Sequence, residues 1–189
     1  FIPLPRSFSE STIAVPAMIA ITLLATFFVS EHQMRLLEAR MYFTNARIAL
    51  LEQKPGSASA FADSALAIYP DNGEFNFIAG AALHQSGKPD QALPFYVNAM
   101  KTSSDPALLF NIGLAKHETG DIDGAINALS LAIDYVPSYT RAGKTLAQYY
   151  YEIGRLDLAI DQLDAVLVYA PDDNEAIAAL NMLKYMKDN

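Results

Sequence analysis

The stretch "ALHQSGKPDQALPFYVNAM", residues 82–100, decides how this chain is read. It begins apolar, breaks at a polar turn containing Gly87 and turns apolar again, the pattern of two helices joined by a tight connection. The pattern returns as "AKHETGDIDGAINALSLAI" at 115–133 and as "AQYYYEIGRLDLAIDQLDAVL" at 147–167. Gly80, Gly87, Ala92 and Ala99 map onto Gly113, Gly120, Ala125 and Ala132 at a spacing of 33. Gly120, Ala125 and Pro137 map onto Gly154, Ala159 and Pro171 at 34. Upstream, Ala58, Ala65 and Pro70 take the corresponding places of an earlier copy.

Each recurring residue has a physical reason. Gly80, Gly113 and Ala147, with Ala92, Ala125 and Ala159 opposite, allow two helices to approach closely. Gly87, Gly120 and Gly154 suit the left-handed conformation that ends a helix. Pro70, Pro137 and Pro171 stop the second helix, while Leu109, Ile112, Leu129, Leu146 and Leu163 fill the space between. Pro94 falls inside a second helix, where a kink is expected.

A period of 33–34 with small residues at fixed points resembles the tetratricopeptide repeat. The resemblance covers about residues 39–171. It implies an all-α fold, a right-handed superhelix of three to four helix pairs with a capping helix. The expected units are a degenerate repeat at 39–72, full repeats at 73–105, 106–139 and 140–173, and a cap at 174–189. The bulky residue usual at the fourth place is Tyr42, Asn76, Leu109 and Gly143 here, and the first copy has "QKPGS" at its turn.

Ahead of the repeats, "TIAVPAMIAITLLATFFVS" at 12–30 has no charged residue and is apolar on every face. As a helix it covers roughly 28 Å, the thickness of a bilayer's hydrocarbon core. A single transmembrane helix is expected here, after a tail at 1–11. A cleaved signal peptide fits less well, since no A-x-A site follows. No Gly or Pro lies between Ala17 and Lys54, so one helix should leave the membrane through 31–54, enter the first repeat and stop at "KPGS". Arg35, Arg40 and Arg47 follow the span and Arg6 precedes it, which favours a cytoplasmic array; a short tail before one span equally suits an exported domain. The expected location is a membrane of the bacterial inner-membrane kind. The chain opens on Phe1 rather than Met, leaving open what precedes it.

The net charge of −8 argues against nucleic acid as a partner. Without Cys there is neither a disulfide nor a thiolate nucleophile. Phosphate-binding loops, HExxH and Gly-x-Ser-x-Gly are absent, so no enzyme activity, cofactor or metal is expected. The Asp residues of "GDIDG" and "PDDNE" read as helix caps.

The resemblance implies that the second, fifth, ninth and twelfth places of each repeat face a concave groove. The fifth place holds Phe43, Phe77, Phe110 and Lys144; the ninth ends in Gln148; the twelfth includes His84, His117 and Tyr151. An aromatic rail with histidines beside it suits a partner's helix or extended segment. The alternative is that Phe77 and Phe110 pack as ordinary core. His84 and His117 lie on neighbouring helices roughly 8–10 Å apart, long for a shared metal ion.

These features imply a membrane-anchored interaction scaffold, an adaptor or accessory subunit of a larger assembly, with protein partners and the bilayer at 12–30. Two other readings stay open: a pilin-like filament subunit, and the C-terminal part of a polytopic envelope glycan polymerase or ligase.

Overall fold

The structure is a computed structural model describing residues 10–188, with side chains placed from residue 17. Residues 1–9 of the expected tail lie outside the described residues, and Glu10 and Ser11 already belong to a helix. Nine helices and no strand make up the described residues: α1 (Glu10–Leu51), α2 (Pro55–Ile68), α3 (Gly73–Gln85), α4 (Pro89–Met100), α5 (Pro106–Glu118), α6 (Ile122–Tyr135), α7 (Thr140–Glu152), α8 (Leu156–Tyr169) and α9 (Asn174–Asp188). Each helix packs on the next, and α1, α3 and α5 also touch in succession. The contacts are therefore nearly all between neighbours, as in a stack of helical hairpins.

Local chemistry sets the helix ends. Asn72, Asp105, Asp121 and Asp173 accept backbone N–H groups from Phe75, Ala107, Gly124 and Ala176, at 2.8–3.0 Å. Proline stands at the start of α2, α4 and α5, where its missing N–H costs least. Pro94 sits within α4 without ending it.

The first helix of each pair ends in one recurring turn. Gly87, Gly120 and Gly154 take φ of 72°, 86° and 73°. Their N–H groups bond the carbonyls of His84, His117 and Tyr151, and the next residues reach back to Leu83, Lys116 and Tyr150. The first pair makes the same turn without glycine. Gln53 adopts φ 58°, and Lys54 N–H bonds the Ala49 carbonyl at 2.8 Å.

Close approach of the paired helices follows from the small residues. A Cβ on Gly80 would lie 2.7 Å from the buried Tyr96 ring, and one on Gly113 2.9 Å from Leu129. Gly143 is likewise required: a Cβ there would stand 2.5 Å from Val166. Asn76, the other departure at the fourth place, is buried, and its amide donates to the carbonyls of Pro70 and Asn72 at 2.8 and 2.9 Å. That polar group is satisfied locally, so its burial carries no orphan penalty.

The two halves of α1 have different surroundings. From Ala39 onward it buries Ala39, Ala46 and Ala49 against the array. From Met18 to Val29 its large apolar side chains are all exposed. The boundary is sharp: Tyr69 Oη lies 3.5 Å from His32 Nδ1, two residues beyond the end of the apolar run.

Gln53→Gly should raise stability by about 0.5–1 kcal/mol, because glycine takes the left-handed conformation without the Cβ penalty. Chemical denaturation of the two proteins checks this.

Candidate functional site

The first helices of the pairs carry all eight residues singled out above, and the structure divides them into four situations. Phe43 on α1 and Phe77 on α3 are half-buried and line one cleft of about 280 Å³ with Arg47, Glu74 and Leu108. Their other sides are packed: the Phe43 ring centre is 5.3 Å from that of Phe75, and Phe77 is 6.1 Å from Tyr96. Only part of each ring is available to a partner.

Phe110 does not continue the rail. It is 3% exposed and sits in the core with Leu109, Leu129 and Leu146. Tyr139 covers it at 5.7 Å between ring centres, and the Arg141 guanidinium lies 4.6 Å over its face. The expectation of an exposed ring fails here because Tyr139, the residue just before α7, and Arg141 in its first turn close over it.

His84 and His117 form rungs between successive first helices. His84 Nε2 meets Glu118 at 3.0 Å, and His117 Nε2 meets Glu152 at 2.6 Å. Behind them, Tyr96 Oη approaches His84 Nδ1 at 3.4 Å, and Tyr149 stacks on His117 at 3.9 Å and 5°. Burial opposes ionisation of Glu152, but hydrogen bonds from His117 and Gln148 outweigh it and hold the carboxyl below its ordinary range. Burial, then the nearby Glu152 and Glu118, push the Tyr149 hydroxyl up to about 12. Burial raises Tyr96 as well.

Lys144, Gln148 and Tyr151 do converge. Together with Arg141 they form the α7 wall of a cleft of about 450 Å³, whose opposite wall is Ala179, Met182 and Leu183 of α9. At one end Lys144 pairs with Asp173, at 3.0 Å, and with Glu175. Hydrogen bonds to Glu175 and Asp173 keep the ammonium protonated above its usual range. The N–H of Ala176, with Lys144, holds Asp173 below the usual carboxylate range. The cleft therefore has an ionic rim and an apolar floor.

Sequence reading missed the acidic partners. Glu118 and Glu152 follow His84 and His117 by 34 and 35 residues, one repeat plus one position. That offset becomes meaningful only once the period is known.

The fold is that of an α-helical-hairpin solenoid. Residues 116–183 match the tetratricopeptide repeat family. No curated protein matches the chain in sequence. Among solved structures, the crystal structure of MamA protein is 19% identical with a TM-score of 0.72, covering 80% of this chain and 83% of that one. YrrB, described as a TPR protein with an unusual peptide-binding site, is 18% identical with a TM-score of 0.68, over 88% of this chain and 86% of that one. Pseudomonas aeruginosa pilF is 17% identical with a TM-score of 0.71, over 82% and 71%. The likenesses establish the fold: a superhelix of tetratricopeptide-like helix pairs behind a long apolar N-terminal helix.

Two outcomes test these placements. Phe110→Ala should cost about 3–5 kcal/mol, as a buried aromatic does, while Tyr151→Ala should stay within about 0.5 kcal/mol; thermal denaturation separates them. Glu152→Gln should cost at most about 1 kcal/mol near neutral pH, since the pair is part-exposed. The folded pKa of Glu152 lies below its ordinary value of 4.5, so its contribution is complete above that pH. It is lost as the pH falls through the lower folded value, and the two proteins' stabilities should converge there.

Proposed function

We propose that this chain is a membrane-anchored scaffold that holds a protein partner beside a bilayer, with residues 12–30 in the lipid and the repeat array outside it. The observation that carries the reading is the division of α1. From Ala17 to Ser30 it is bare of protein contact, and its other half is the first helix of the array. Bare apolar residues on every side of a helix are costly in water and favourable in lipid. The contact of Tyr69 with His32 places the array directly at the end of the apolar run, with no intervening linker. An anchor that is part of the array's own first helix fits this better than a leader removed after export.

The partner-facing surface is the concave face, and the role is binding rather than chemistry. Tyr151, Gln148 and the floor of Met182 and Leu183 offer the best-formed place for a partner's apolar side chain, with Lys144 and Arg141 at the rim. Phe43 and Phe77 add a second contact at the membrane-proximal end. His84 and His117 order the ground between the two clefts, and Phe110 supports it from the core. A peptide-binding site described for YrrB accords with this use of the fold.

The full chain should remain with membranes through alkaline extraction, and a chain lacking residues 12–30 should be released; release of both would refute the anchor. A photo-cross-linker at Tyr151 should capture one defined protein, and one at the exposed Asp134 should not. Tyr151→Ala should weaken that association roughly ten-fold or more, with the array still folded.

A further inference from the structure

We infer that α1 pairs with α1 of a second copy of this chain, in parallel and in register, along a seam that the array leaves uncovered. The seam is written in the helix. Ala20, Leu23, Phe27, Ser30, Met34, Leu37, Met41, Thr44, Ile48 and Leu51 follow one another at alternating steps of three and four residues without a break. That is the a/d spacing of a two-stranded coiled coil, sustained over more than four heptads. Beyond the apolar run, Met34, Leu37, Met41, Ile48 and Leu51 are 47–83% exposed. In an ordinary first helix of a solenoid these positions have no reason to be apolar.

The array does not compete for the seam. The residues that α1 buries against α2 and α3 include Ala39, Ala46 and Ala49, which fall at f, f and b when Met34 is a. Position f lies roughly 140° around the helix from a. One side of α1 is therefore committed to the array and the opposite side is free. Packing of the array also holds α1 helical in advance, so pairing does not bear the cost of ordering a helix.

Flanking charges select the partner and its direction. The e positions are Glu31, Glu38, Asn45 and Glu52, and the g positions are Thr26, Gln33, Arg40 and Arg47. In a parallel pair, g faces e of the next heptad in the other helix. This sets Arg47 against Glu52, Arg40 against Asn45 and Gln33 against Glu38, with no like-charge encounter. In an antiparallel pair e faces e and g faces g, which puts glutamates on glutamates and arginines on arginines. A self-complementary pattern of this kind suits a second copy of the chain. Parallel is also the sense available to two copies inserted from the same side, although the seam from Met34 to Leu51 stands apart from the membrane reading.

The absence of cysteine gives a clean background for the test. In the full chain, in native membranes or detergent, single substitutions Met34→Cys, Leu37→Cys, Met41→Cys and Ile48→Cys should form homodimers on mild oxidation. Their yield should be several-fold above that of Arg35→Cys, at an exposed b position, and of Asp63→Cys on α2. Same-residue bridges at both Met34 and Ile48 require a parallel pair in register. Arg47→Glu should lower the yield at Leu37→Cys several-fold, and adding Glu52→Arg should restore it. Equal yields at all positions, no dimer at any, or adducts solely with a different protein would overturn the inference. Failure of the charge exchange to restore pairing would overturn its parallel register.

Discussion

The contact through which α1 joins the array, Ala39, Ala46 and Ala49 against α2 and α3, is the constraint on which the rest depends. Alanine at these places brings two helix backbones together with little side-chain entropy lost. Each later hairpin repeats the arrangement, with Ala92, Ala125 and Ala159 fully buried. Stability in such a stack is a sum of neighbour terms, and this first interface closes the N-terminal end of the stack. Here that first term is made by a helix whose other half has the composition of a bilayer span. The array is joined to that half by one continuous helix rather than by a linker.

Much of this was legible because it depends on backbone spacing. The left-handed turns at Gly87, Gly120 and Gly154, the close approach at Gly80 and Gly113 and the capping by Asp121 and Asp173 each need a particular residue type at a fixed place. The first repeat looked irregular at "QKPGS" only because Gln53 performs the glycine's role. What could not be read was how long side chains close over neighbours. Counting places puts Phe110 on the partner-facing side, but whether it stays bare depends on Tyr139 and Arg141, which flank the boundary with the next repeat and lie over it.

The same distinction explains the divided site. A uniform groove would need equivalent side chains at equivalent places, yet the twelfth place reads Leu50, His84, His117 and Tyr151. Where it is histidine, the glutamate at the thirteenth place of the next repeat engages it and the surface between α3, α5 and α7 becomes self-satisfied. Self-satisfied polar groups gain little from a partner, because binding only exchanges one hydrogen bond for another. The proposed recognition then falls to the places where the rungs stop, which are the clefts beside Phe43 and Tyr151.

Around α1, residues at b, c and f from Ala39 onward are spent on the array, those at a and d form a line that is apolar except at Ser30 and Thr44, and those at e and g carry opposite charges on opposite sides of it. An amphipathic first helix of an isolated array would put polar residues along that line to meet water. Methionine and leucine there, at more than half exposure for Met34, Leu37 and Met41, have a physical rationale only if something apolar covers them. Lipid cannot do so past the first turn beyond Ser30 without also submerging Arg35, Arg40 and the Tyr69 edge of the array. The proposed second α1 would cover them while leaving both arrays, and the clefts they carry, in water.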